Sequence, residues 1–243
     1  MNNYYTRYRE FISGGLSGVT EVVTTHWIDN LKTRIQETNL DSKKHLTMKD
    51  FNYRNLYWGF YPRLFGIIPM RTVFWSSQKI SNDYLKQFSF NNNYKYLIAG
   101  VFSGSMQTLI DNPIEAMKIN LITNQNKKVK INILKGFTPT LLRNSIFCGM
   151  FNLIVKNREK DHKLLSGGIG GVVASIVSHP FDVVKTEMQK SGSLTVNSLE
   201  FVKDNLAKNP KIFLSGMIPR TILSLATMSI GYFSFSFFMD LIY

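Results

Sequence analysis

The chain carries one composite motif three times in fixed register, and no other feature narrows its possible folds as far. The first copy reads Gly14-x-x-x-Gly18 and then Trp27-Ile28-Asp29-Asn30-Leu31-Lys32. The second reads Gly100-x-x-x-Gly104 and Pro113-Ile114-Glu115-Ala116-Met117-Lys118. The third reads Gly167-x-x-x-Gly171 and Pro180-Phe181-Asp182-Val183-Val184-Lys185. In each copy the acid lies eleven residues past the second glycine and the base three past the acid. A second mark follows at Gly59-x-x-Pro62, Gly136-x-x-Pro139 and Gly216-x-x-Pro219. The 243 residues therefore divide into three repeats, at about 1–90, 91–160 and 161–243, within a single domain.

Six apolar segments run through these units, two per repeat. Phe11 to Ile28 holds one charge, Glu21, while Tyr96 to Ile110 and Leu164 to Val177 hold none. Thr221 to Met239 is uncharged, and Ile67 to Ile80 and Thr138 to Val155 carry only one or two bases each. Several fall short of the roughly 20 clean apolar residues of a lipid-spanning helix. A helix with one face on a polar cavity does not need them. The Gly-x-x-x-Gly pairs put small residues on one helix face and permit close backbone approach. These features predict an all-α membrane protein of six transmembrane helices around a central cavity. The stretch from Glu115 to Gly136 spans 21 residues, against 30 and 34 in the other repeats, which leaves little room there for a surface helix.

Twenty-nine Lys+Arg against 16 Asp+Glu give a net charge of +13, which suits nucleic acid, an anionic membrane surface or an anionic solute. The basic groups cluster between uncharged runs and form no basic face on a soluble fold, so a nucleic-acid-binding protein is the remoter alternative. The single Cys148 excludes an internal disulfide and reads as a packing residue. Met1 to Glu10 has no apolar core, so no cleavable signal is expected. The four His show no metal-ligand spacing, and His26 and His179 precede the repeated Trp/Pro position as remnants of the repeat. No nucleophile elbow, phosphate loop or metal cluster is present, so no enzyme is expected. The frequent Asn, Lys and Ile suggest an AT-rich, compact genome such as that of a large virus or parasite.

Each acid and base lie three apart on a helix and share a face. Three local surface pairs would be worth little. In a threefold bundle, each acid can instead reach the base of the next helix and close a ring of charge across a pore. A proline two residues before the acid bends its helix toward that centre.

On these residues the chain resembles the mitochondrial carrier family over essentially its whole length. That family's signature, Pro-x-[Asp/Glu]-x-x-[Lys/Arg], recurs on the odd-numbered helices. The resemblance implies that Asp29 pairs with Lys118, Glu115 with Lys185 and Asp182 with Lys32, closing the matrix side. Gln36 and Gln189 match the family's glutamine brace; Ile122 does not. Trp27 replaces the first proline. The positions of the cytoplasmic gate hold Lys79 and Asn82, Lys156 and Glu159, and Ser236 and Met239, so that only Lys79 and Glu159 are left to bridge. With six charges latching one end and two the other, the expected resting state has its cavity open to the cytosol.

The resemblance also implies a monomer working by alternating access in the mitochondrial inner membrane, the host's if the source is viral. Its partners would be a small anionic solute and membrane lipid, cardiolipin included, with no other cofactor, metal or nucleic acid polymer. Substrate contacts fall about seven residues past the Gly-x-x-Pro glycine, at Gly66-Ile67, Arg143-Asn144 and Leu223-Ser224. Arg63, Arg71 and Arg220 add bases suited to phosphate or carboxylate. On the fourth helix an Arg followed by a polar residue resembles carboxylate and keto-acid carriers, whereas nucleotide carriers often have Gly and an aliphatic residue there, a pair that this chain has on its second helix instead, as Gly66-Ile67. The number of bases and the composition favour exchange of nucleotides, deoxynucleotides among them; a carboxylate or keto-acid carrier is the alternative.

Overall fold

The computed structural model describes residues 2–40, 57, 60–123, 137–158, 162–190, 213 and 216–242, and for residues 2–7, 29–40, 62, 115–123 and 185–190 only the backbone. Among them the chain forms six helices and no strand: α1 (Asn2–Leu40), α2 (Phe60–Leu85), α3 (Asn92–Thr123), α4 (Phe137–Asn157), α5 (Lys163–Lys190) and α6 (Met217–Leu241). Even α4, with 21 residues, spans about 31 Å at 1.5 Å per residue, enough for a bilayer core. Each helix packs on its chain neighbours and α6 returns to α1, which closes a six-membered ring.

Among the described residues, only Lys163–Val184 and Met217–Leu241 are apolar enough to be recognised as spans by composition, with mean hydropathy 1.4 and 1.5. The others carry their polar residues inward. On α1, Glu10, Ser13, Ser17, Glu21 and Thr25 are buried, while Phe11, Ile12, Leu16 and Val23 are exposed. This inverted polarity fits a ring whose outside meets lipid and whose inside meets a polar cavity.

The repeated glycines set the spacing within each helix pair. A Cβ at Gly14 would lie 2.9 Å from Thr72 Cα on α2, and one at Gly171 would lie 2.7 Å from the Ser224 carbonyl on α6. Those approaches leave no room for a methyl group. Helices α3 and α5 run on through Pro113 and Pro180, each of which removes a backbone donor just before the motif acid.

At the end where α2, α4 and α6 finish, these three helices meet across the ring axis although none is adjacent to another. Trp75 of α2 stacks on Phe235 of α6 at 4.8 Å and 10°, and lies 5.9 Å from both Phe151 of α4 and Tyr232 of α6. Phe74, Trp75 and Phe151 are essentially inaccessible. Beside this cluster, Gln78 Nε2 and Asn82 Nδ2 donate to Asn152 Oδ1 at 2.7 and 3.0 Å, and Asn152 Nδ2 donates to the Tyr96 carbonyl at 2.6 Å. The resemblance places this end toward the cytosol, and the structure has it packed shut where the charge count predicts an open cavity. Aromatic packing and an amide network join the helices where few charges are available. Lys79 lies 3.5 Å from Asp83 on its own helix and lines a cavity of about 230 Å³ outside the aromatic cluster, together with Lys156, Lys163 and Asp240. Glu159 lies outside the described residues.

Candidate substrate site

Three of the basic groups expected in the cavity, Arg71, Arg143 and Arg220, meet carboxylates. Arg71 Nε and Nη2 donate to Glu21 Oε2 and Oε1, both at 2.6 Å, in a buried pair between α2 and α1. Arg143 of α4 donates from Nη2 to Asp111 Oδ2 of α3 at 3.1 Å and from Nη1 to Asp182 Oδ1 of α5 at 3.5 Å. Its Nε and Nη2 also donate to Asn144 Oδ1 at 3.0 and 2.7 Å. Arg220 of α6 pairs with Asp182 and donates to Ser178 Oγ at 2.9 Å. Asp111, Arg143, Asp182 and Arg220 thus form one chain of alternating charge over four consecutive helices. The acids that meet Arg143 come from the neighbouring helices, where sequence distance hides them.

The other expected contacts sit as follows. Asn144 is buried and donates from Nδ2 to Thr108 Oγ1 at 3.0 Å and to Asp111 Oδ2 at 3.2 Å. Ile67 is buried, and a Cβ at Gly18 would lie 3.4 Å from its carbonyl. A Cβ at Gly66 would stand in ordinary contact with Ile114 of α3, at 3.5 Å. Of the six signature charges only the Asp182 side chain is described; Asp29, Lys32, Glu115, Lys118 and Lys185, with Gln36 and Gln189, have backbone alone. His26 packs edge-on against Phe60 at 5.6 Å, as a packing residue would.

The residues missed from the sequence are Glu21 and Asp111, and the repeat register points to both. Eight residues before the motif acids stand Glu21, Gln107 and Ala174, and twelve past the Gly-x-x-Pro glycines stand Arg71, Cys148 and Met228. The structure joins these positions in every repeat. Glu21 and Arg71 make an ion pair, Cys148 Sγ donates to Gln107 Oε1 at 3.7 Å, and Ala174 and Met228 share one apolar cluster. Four residues before the acids stand Thr25, Asp111 and Ser178, and seven past the glycines stand Gly66, Arg143 and Leu223. Only the second repeat has a charge at either position, and there it has both.

A family model described as "Mitochondrial carrier protein" matches residues 4–89 and 161–243. The mitochondrial 2-oxodicarboxylate carrier of Mus musculus is 27% identical, over 74% of this chain and 74% of its own. The probable mitochondrial 2-oxodicarboxylate carrier of Schizosaccharomyces pombe is 28% identical, over 74% and 73%. The mitochondrial substrate carrier family protein X of Dictyostelium discoideum is 26% identical, over 89% and 86%.

Proposed function

This chain belongs to the mitochondrial carrier family, and we propose that the anion it carries is a dicarboxylate of the 2-oxo class. Membership makes it an integral, multi-pass transporter of the mitochondrial inner membrane and gives it small anionic solutes as substrates. The choice of anion rests on one observation: the Arg143 guanidinium, at the expected contact position, is already met by two carboxylates, Asp111 and Asp182. A site that accommodates carboxylates around a planar guanidinium suits a ligand of the same chemistry. Two relatives whose names specify 2-oxodicarboxylates support this reading over the nucleotide reading. The nucleotide reading counted several cavity bases, and the structure pairs Arg71, Arg143 and Arg220 with acids.

The transport cycle is read as alternating access. In the structure, while α2, α4 and α6 meet at the ends where they finish, Asp182 faces Arg143 and Arg220 near the starts of α4 and α6. In the opposite state, Asp182 pairs with Lys32, Asp29 with Lys118 and Glu115 with Lys185, braced by Gln36 and Gln189. A dicarboxylate that takes over the guanidinium frees Asp182 for that exchange of partners.

Competition for uptake into liposomes containing the purified protein tests the assignment. Unlabelled 2-oxoglutarate is expected to inhibit uptake of labelled 2-oxoglutarate, and ATP or dATP is not. Saturable uptake of ATP that 2-oxoglutarate leaves unaffected would return the assignment to nucleotides.

A further inference from the structure

We infer that Asp111 is a specificity-determining residue of the carrier: its carboxylate holds Arg143 as a tethered stand-in for a substrate carboxylate and so sets the charge an incoming anion must bring. The inference rests on the assignment of Arg143 to substrate binding.

Asp111 has no place in the repeated signature. Thr25 and Ser178 stand at its register position in the other repeats, and Gly66 and Leu223 stand at that of Arg143. A threefold scaffold therefore closes without either charge. The one repeat that has them brings them to 3.1 Å, largely buried, with side-chain exposures of 11% for Asp111 and 21% for Arg143. Asn144 ties the pair from below, accepting from the guanidinium and donating from Nδ2 to Asp111 Oδ2 at 3.2 Å.

This geometry makes Asp111 a competitor. A tethered group acts at high effective concentration, so a free carboxylate gains Arg143 only by displacing it. Asn144 Nδ2 remains as a donor to the displaced Asp111 carboxylate. Next in the charge chain stand Asp182 and Arg220. A monoanion exchanges one carboxylate for another at Arg143 and leaves a buried acid short of a cation. A dianion spans Arg143 and Arg220 and displaces Asp182 as well, which the transport cycle passes to Lys32, so two new ion contacts are made for one acid, Asp111, left short of a cation. Selectivity for dianions over monoanions follows from the internal acid that each must dislodge, an element working against the wrong ligand.

Uptake of labelled 2-oxoglutarate and labelled pyruvate into liposomes, by wild type, Asp111→Asn and Asp111→Glu, tests this. Wild type is expected to prefer the dianion strongly. In Asp111→Asn the KM for 2-oxoglutarate is expected to fall at least threefold while pyruvate uptake rises, so that the preference narrows. Asp111→Glu keeps a carboxylate and is expected to keep the wild-type preference. A parallel loss of kcat for both solutes in Asp111→Asn, with KM unchanged or raised, would overturn the inference and leave Asp111 a structural partner. If Asp111→Asn does not insert, Asp111→Ser, which copies Ser178 of the third repeat, takes its place and is read by the same outcomes. Wild-type uptake of ATP without 2-oxoglutarate overturns the substrate assignment alone. Asp111 is then judged by the KM for ATP, which must fall in Asp111→Asn.

Discussion

Arg71 and Glu21 form a bidentate ion pair in the interior, with both N–O distances at 2.6 Å. The register mates of this pair are the Cys148–Gln107 hydrogen bond and the apolar neighbours Met228 and Ala174. One position in the scaffold thus supports an ionic, a polar or an apolar contact, and the bundle closes with each.

Removing one partner of the ionic version leaves the other buried and uncompensated, which typically costs about 3–5 kcal/mol. Glu21→Gln and Arg71→Cys are each expected to lower the melting temperature in detergent. The double variant, which copies the second repeat, is expected to recover most of the loss. A double variant no more stable than the worse single one would show that the two positions are not coupled.

The aromatic cluster is expected to hold the cytosolic end shut. A cysteine at Ser224, the register mate of Asn144, introduced with Cys148→Ser, should react slowly with a membrane-impermeant thiol reagent applied from that side. Trp75→Ala removes the stack on Phe235 and the contacts with Phe151 and Tyr232. Losing about 1 kcal/mol of ring packing is expected to raise labelling about fivefold. Equal labelling with and without Trp75 would locate the barrier elsewhere.

How much of this was legible beforehand depends on the kind of signal. The helices, their pairing and the glycine contacts follow from a register repeated three times, because symmetry multiplies a weak motif into a strong one. Trp75, Phe151, Tyr232 and Phe235 gave no such signal, since aromatics also fill membrane helices for packing alone. Gln78, Asn82 and Asn152 belong to three-dimensional neighbours separated by about 70 residues of sequence. Asp111 ends an apolar run and sits four residues before Glu115, on the same helix face, so its inward position was readable from periodicity. Its partner was not, because Arg143 reaches it from another helix. Lys79 looked like a gate residue by counting alone and lies instead against Asp83, one turn along its own helix.

The signature charges are expected to bridge between repeats. Asp29→Lys combined with Lys118→Asp should transport better than either single change, since reversing both restores the attraction. A double variant as inactive as the singles would mean that the two side chains do not meet.

The Gly104 contact with α4 is expected to be intolerant, because a Cβ there runs into the Asn144 and Ser145 backbone. Gly104→Val should lower the melting temperature and the yield of folded protein, whereas the same change at Gly15, where the nearest atom is the Thr72 hydroxyl at 3.3 Å, should be milder. Equal effects at the two sites would contradict the close-packing account.

Recognition of a dicarboxylate at Arg143 is tested most directly by the concentration dependence of labelled 2-oxoglutarate uptake into liposomes containing wild type or Arg143→Ala, with folding of both checked by thermal melting. Saturable uptake by wild type and a KM raised at least about tenfold in the variant, equivalent to about 1.4 kcal/mol or more, is the predicted result. The same KM in a folded Arg143→Ala protein, or no 2-oxoglutarate uptake by wild type, would contradict it.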